Sequence, residues 1–192
     1  MRGLFLYNIL MPYNTVMFNV PAMIKRLELK PGYIVADLGT GREARMALAA
    51  GQVVGNDGMV YAVDIVKSIL PAVQTKAAIH GINNIHTVWS DLEIYGAAKE
   101  IADNSVDAAC LVTILFQSRK HQAILREAIR ILKPGGRLVI ADWKSASDVP
   151  LGPAPEMRVK PEDVIKLASD LKLKLIDEFD AGRCHWGLLF QK

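Results

Sequence analysis

Tyr33-Ile34-Val35-Ala36-Asp37-Leu38-Gly39-Thr40-Gly41 is an apolar run that ends in a carboxylate and then in two glycines. Such a run reads as a buried strand meeting a loop. Glycines at that point let the backbone approach a ligand closely and turn sharply into a helix. The helix that follows turns its free N–H groups and positive dipole end toward the same loop. Taken alone, Gly-x-Gly is equally the mark of a tight strand–helix turn.

The pattern repeats outward from this stretch. Residues 42–54 carry alanine and leucine at helical spacing, and Gly55-Asn-Asp-Gly58 is a turn. Met59-Val-Tyr-Ala-Val-Asp64 is a second strand closed by a carboxylate, and residues 66–80 are helical with Gly81 as their stop. Residues 84–89 form a third strand, closed by Ser90-Asp91. Residues 106–113 form a fourth, almost wholly apolar, as a strand buried on both faces should be. Residues 121–132 place Ile124, Leu125, Ala128, Ile129 and Leu132 on one helical face, and Lys133-Pro-Gly-Gly136 ends that helix. A fifth strand over 137–143, a helix over 161–170 with proline in its first turn, and two strands over 172–192 around Asp180-Ala-Gly-Arg183 complete the chain. Strands alternating with helices predict a doubly wound α/β fold, with a mainly parallel, seven-stranded Rossmann-like sheet and an antiparallel C-terminal edge hairpin. Ligands of such sheets bind beyond the carboxyl ends of the strands, at the switch point. The expected site is therefore the loops after Asp37, Asp64, Asp91 and Thr113.

Composition narrows the function. The 192 residues are 51% hydrophobic and 22% charged, which is globular rather than disordered. A net charge of +3 with no basic run gives no footprint for nucleic acid. Cys110 and Cys184 have no metal or redox spacing, so no metal site is expected, and the cysteine usage fits a reducing cytoplasm. Residues 1–24 are apolar-rich but broken by Asn8, Pro12, Asn14, Asn19 and Pro21, so neither a membrane span nor a signal peptide is expected. Residues 1–27 read as an N-terminal arm and 28–192 as one domain. The arm, helical in part and packed on the domain, carries Tyr7, Tyr13 and Phe18 and is either a lid over the site, a surface packed against a second subunit of a homodimer, or a simple extension of the core. Trp143 and the proline-rich loop 145–159 are expected to form another wall.

At the strand tips, each carboxylate has two readings. Asp64 either accepts hydrogen bonds from vicinal ribose hydroxyls, at the spacing of roughly 20 residues from the glycine loop, or caps the following helix. Ser90-Asp91 either meets the exocyclic amine of a purine or serves as a turn. A nicotinamide dehydrogenase is disfavoured, because the position three after Gly41 is Ala44 rather than glycine.

Val35-Ala-Asp-Leu-Gly-Thr-Gly41, Val60-Tyr-Ala-Val-Asp64, Ser90-Asp91, Val106-Asp107 and Leu132-Lys-Pro-Gly-Gly-Arg-Leu-Val-Ile140 stand in the order and spacing of a known family. The chain resembles the class I S-adenosylmethionine-dependent methyltransferases, in particular the small UbiE-like, type 11 or type 25, branch. The resemblance covers residues 28–144, with 159–192 similar to the family's last helix and closing hairpin. It implies S-adenosylmethionine as the cofactor. Asp37 and the Gly39-Thr40-Gly41 loop would lie against its methionine part, and Asp64 would hold the ribose. Ile65 would pack on the adenine, with Asp91 and Leu92 at its edge. Val112 and Thr113 would line the pocket near the reacting methyl group. Where the family usually has a third glycine this chain has Glu43. That side chain either repels the cofactor's carboxylate or pairs with its ammonium or with Arg42.

The activity implied is methyl transfer to a small-molecule acceptor, achieved largely by positioning and exclusion of water. An acceptor that must lose a proton needs a base. Asp142, His121 and His185 are the candidates, each with an equally plain structural role in a loop or core. A binding protein that has lost turnover, favoured by Glu43, and an RNA methyltransferase are the alternatives.

Overall fold

The computed structural model describes residues 18–145 and 152–192. Helix α1 (Val20–Leu27) leads into β1 (Ile34–Leu38), α2 (Arg45–Val54) and β2 (Met59–Asp64). Then come α3 (Leu70–Ile79), β3 (Ile85–Trp89), β4 (Val106–Val112), α4 (His121–Ile131) and β5 (Leu132–Trp143). Helix α5 (Pro161–Asp170) and the hairpin β6 (Lys174–Gly182) and β7 (His185–Gln191) follow. The seven strands form one sheet in the order β3-β2-β1-β4-β5-β7-β6. β1 to β5 are parallel, and β7 runs antiparallel to both β5 and β6. The predicted doubly wound sheet with an antiparallel edge hairpin is therefore observed.

Two apolar layers sandwich the sheet. Leu38, Leu111, Leu138, Ile140 and Phe190 meet Ile124, Leu125, Ala128 and Val164 of α4 and α5 on one face. Val35, Val60, Cys110, Val139 and Leu189 meet Met23, Leu27, Met46, Ala47 and Val73 of α1, α2 and α3 on the other. Alternate residues of β5 (Leu138 and Ile140 against Val139 and Ala141) thus serve opposite layers, as a two-sided strand requires. Crossovers from β1 go to β2 on one side while β4 lies on the other, so the crevice opens at the β1 and β4 tips.

Helix α1, at the end of the segment read as an arm, packs on the domain as part of the second layer. Asn19 caps it by accepting the Ala22 N–H at 3.0 Å. Its Met23 and Leu27 are buried. Tyr7 and Tyr13 lie outside the described residues.

Several boundaries differ from the sequence expectation. Helix α2 starts at Arg45 rather than 42, because Ala44 takes the left-handed conformation (φ 48°) and breaks any helix before it. The helix expected from 66 opens as a short 3₁₀ turn (Lys67–Ile69), and α3 proper begins at Leu70. β5 begins at Leu132 and runs through the Lys133-Pro-Gly-Gly136 stop. Its register against β4 slips between the Val106↔Leu132 and Ala108↔Arg137 pairs, with Gly135 at φ 79° inside the slip. Asp180-Ala-Gly182 belongs to β6 as a bulge, held by the Gly182 N–H donating to Asp180 Oδ1 at 3.1 Å, and the hairpin turns at Arg183-Cys184.

Candidate functional site

The loop after β1 is built around Asp37. Its Oδ2 accepts the Thr40 hydroxyl at 2.7 Å and the Ala47 N–H at 3.0 Å, and its Oδ1 accepts the Cys110 thiol at 3.2 Å. Burial pushes its carboxyl above the ordinary carboxylate range. Asp37 therefore ties strand, loop and the first turn of α2 together. The N–H groups of Gly39 and Thr40 both donate to the Val63 carbonyl, at 2.8 and 2.9 Å. This stitches the loop to the end of β2. Gly39 sits at φ 78°, and a Cβ built on it would lie 2.0 Å from Ile114 Cδ1. Backbone conformation and close packing both demand glycine there.

Asp64, at the tip of β2, accepts the Gly41 N–H on Oδ2 and the Val66 N–H on Oδ1, both at 2.9 Å. A carboxylate offers about four acceptor sites, so two are left over. Capping the next turn and binding further donors are compatible, which the sequence left as alternatives. At the tip of β3, Ser90 donates its N–H to the Asp64 carbonyl at 3.1 Å, and its hydroxyl is buried without a partner. Asp91 Oδ1 accepts the Glu93 N–H at 2.9 Å, closing a tight turn. Glu93 in turn takes the Ser118 hydroxyl at 2.6 Å and the Lys120 ammonium at 3.0 Å, which joins this loop to the one after β4. Both partners hold the Glu93 carboxyl below its usual range.

At the tip of β4, Thr113 adopts the left-handed conformation (φ 56°), a strained position for a β-branched residue and one often found at functional sites. The short turn beyond it (Leu115–Gln117) carries Gln117 to the crevice.

These loops enclose a cavity of about 650 Å³, within the range of small-molecule sites. Asp37, Gly39, Thr40, Gly41, Asp64, Ile65, Asp91, Leu92, Val112 and Thr113, the residues expected at the site, all line it. Phe18 lines it too, beside Val20 and Met23 of α1. Sequence reading missed Arg42, Arg45, Met46, Ile114 and Gln117. The signal available for the first three was their place directly behind the glycine loop; nothing in the sequence marked Ile114. Glu43 does not pair with Arg42: its carboxylate meets Lys76 of α3 at 2.6 Å, and that ammonium holds it below the ordinary range.

None of the three candidate bases lines the cavity. Asp142 is fully buried and accepts the Phe116 N–H at 3.1 Å and the Trp143 N–H at 2.8 Å, so it pins the turn after β4. Burial pushes its carboxyl up to about 6. His121 Nε2 lies 2.9 Å from the Leu115 carbonyl and 2.8 Å from that of Ser118. Facing two acceptors, it is the donating nitrogen and ties down the same turn. His185 is buried between the rings of Phe18 and Trp143, each 4.2 Å away. Trp143 stacks there rather than on the cavity. Among the described residues, no cluster of three potential metal ligands occurs, and no helix is long and apolar enough to cross a membrane.

Comparison with known proteins agrees with this geometry. The methyltransferase-domain family matches residues 29–180. An arsenite methyltransferase of Aquipseudomonas alcaligenes is 34% identical over 121 residues, covering 59% of this chain and 34% of its own length. A ubiquinone/menaquinone biosynthesis C-methyltransferase, UbiE, of Shewanella frigidimarina is 33% identical over 120 residues, covering 60% of this chain and 45% of the relative. The chain thus spans less than half the length of these curated relatives. Among solved structures, a SAM-dependent methyltransferase from Aquifex aeolicus superposes with a TM-score of 0.80 at 24% identity, covering 91% of this chain and 90% of that one.

Proposed function

The chain belongs to the methyltransferase-domain family, and on that premise we propose that it transfers the methyl group of S-adenosylmethionine to a small-molecule acceptor. The observation that carries the reading is Asp64. Its carboxylate is fixed by two backbone N–H groups, lines the cavity, and keeps acceptor capacity for the two hydroxyls of a ribose. The residues present fit the cofactor on a second count. The Ser90 hydroxyl is buried on the cavity wall without a hydrogen-bond partner, a cost that a polar ligand group relieves.

In this reading Asp64 holds the ribose, while Ser90 and Asp91 face the polar edge of the adenine. Ile65 and Leu92 flank the ring, and the Gly39-Thr40-Gly41 loop lies along the amino-acid end. The bound cofactor supplies a methyl group on a sulfonium, an electrophile already activated by its charge. Val112 and Thr113 stand at the rim where the acceptor enters. Phe18, Val20, Met23 and Met46 give that region an apolar wall that excludes water. Rate enhancement then comes chiefly from orientation and desolvation. No base is assigned: Asp142, His121 and His185 each serve the framework. An acceptor that presents an available lone pair or carbanion suits such a site. The size of the cavity and relatives named for arsenite and for ubiquinone/menaquinone biosynthesis support a small acceptor.

The test is titration calorimetry with S-adenosylmethionine and S-adenosylhomocysteine. Saturable one-site binding of both is expected. Absence of binding by either would leave the chain as a methyltransferase-like protein without the activity.

A further inference from the structure

Two arginines face the cavity without a direct ion pair of their own. Arg42 and Arg45 both line it, and among the described residues neither guanidinium makes a hydrogen bond or ion pair. Arg45 lies 5.8 Å above the Phe18 ring, its one close contact of an electrostatic kind with a side-chain ring. The natural partner is near in sequence: Glu43 lies between them. Its carboxylate makes its ion pair with Lys76 on the next helix, at 2.6 Å, and acts on the two arginines only through space. Arg45 also opens α2, whose first turn contains no acidic residue and whose cap residue Ala44 makes no side-chain hydrogen bond. A cation at the positive pole of a helix is disfavoured unless an anion comes close; the carboxylate already there is Asp37, which accepts the Ala47 N–H at 3.0 Å and is buried beneath the loop. Both arginines thus lie on one wall of the cavity, and Glu43, on the same wall, has its carboxylate paired with Lys76.

We propose that Arg45, seconded by Arg42, receives the carboxylate at the amino-acid end of the cofactor, and that Lys76 keeps the arginines available by sequestering Glu43. This rests on the cofactor reading above. A guanidinium matches a carboxylate with two parallel hydrogen bonds, stronger than neutral ones. Glu43, at the position where a negative side chain threatens cofactor binding, is thereby made harmless. Discrimination for the whole cofactor over shortened adenosyl thioethers follows from the same pair.

Calorimetry with two probes tests the assignment. S-adenosylhomocysteine carries the carboxylate, whereas 5′-methylthioadenosine has the same nucleoside and thioether without it. Arg45→Met should weaken S-adenosylhomocysteine by about tenfold or more and leave 5′-methylthioadenosine unchanged. Arg45→Lys, which keeps the charge, should retain part of the lost affinity and so separate charge from a disturbed helix start. Lys76→Met should weaken S-adenosylhomocysteine, and adding Glu43→Gln should restore it. Equal effects of Arg45→Met on both probes, or none on either, would overturn the Arg45 assignment. Loss in Lys76→Met that Glu43→Gln does not restore would overturn the role given to Lys76. Failure of the wild-type protein to bind either probe would instead strike the cofactor reading itself.

Discussion

Gly41 and Asp64 are joined by a 2.9 Å hydrogen bond from the Gly41 N–H to Asp64 Oδ2, across 23 residues of sequence. The bond ties the glycine loop to the tip of the neighbouring strand. It also fixes the carboxylate that we assign to the ribose. One side chain thus shapes the loop and presents the binding group.

Replacing Asp64 removes both roles. Asp64→Ala should weaken S-adenosylhomocysteine by well over about tenfold, since charge-assisted hydrogen bonds are worth about 1.5–3 kcal/mol each. Asp64→Asn keeps the shape but exchanges an acceptor for a donor, and should fall between. Calorimetry on both variants checks this; unchanged affinity in Asp64→Ala would reject the ribose assignment.

Gly39 is held by conformation and by contact. Gly39→Ala should destabilise the fold by about 1–3 kcal/mol, the range for strained backbone and overpacking. Ile114→Ala in the same chain should recover the part due to the 2.0 Å clash and leave the part due to φ 78°. Chemical denaturation of the two single variants and the double variant measures the split. Strict additivity would show that Ile114 does not press on Gly39.

Glu127 is a buried anchor for the loop after β3. It is fully buried, pairs with Arg130 at 2.8 Å, and accepts the Gly96 and Ala98 N–H groups at 2.7 and 3.2 Å. Removing one partner of a buried pair leaves the other charge uncompensated. Glu127→Ala should therefore cost about 3–5 kcal/mol of unfolding free energy. A loss near zero in urea denaturation would contradict the anchoring role.

Asp142 gives the fold a pH dependence of known sign. Its carboxyl is raised from the ordinary value of 3.8 to about 6 in the folded protein. Between those values the folded state binds the extra proton, so stability rises as pH falls from about 7 to about 4 and is lost on raising pH through about 6. Asp142→Asn lacks this titration. The wild type should gain on the variant as the pH is lowered through that window, read from unfolding free energies at several pH values. Parallel profiles would show that Asp142 does not titrate there.

The fold was legible because its punctuation is local. Carboxylates and glycines close β1, β2 and β3, and β4 is apolar enough to declare itself central. The residues that line the cavity were legible for the same reason, since the doubly wound topology gathers strand tips at one edge. What sequence could not give was set by long-range packing. Pro134 and Gly135 look like a terminator, yet the strand runs through them because pairing with β4 is made on both sides, at Leu132 and from Arg137 onward. Asp142 and His185 lie where a catalytic base would stand in a linear reading, but the fold buries both. Glu43 finds Lys76 on another helix, 33 residues away, and that partner is invisible to any reading of the glycine loop alone.

A crystal structure with S-adenosylhomocysteine bound is the most direct test of the central claim. The account predicts the ribose hydroxyls on the Asp64 carboxylate and the adenine beside Ser90 and Leu92. A nucleoside lodged elsewhere, with the crevice at the tips of β1, β2 and β3 left to solvent, would contradict it.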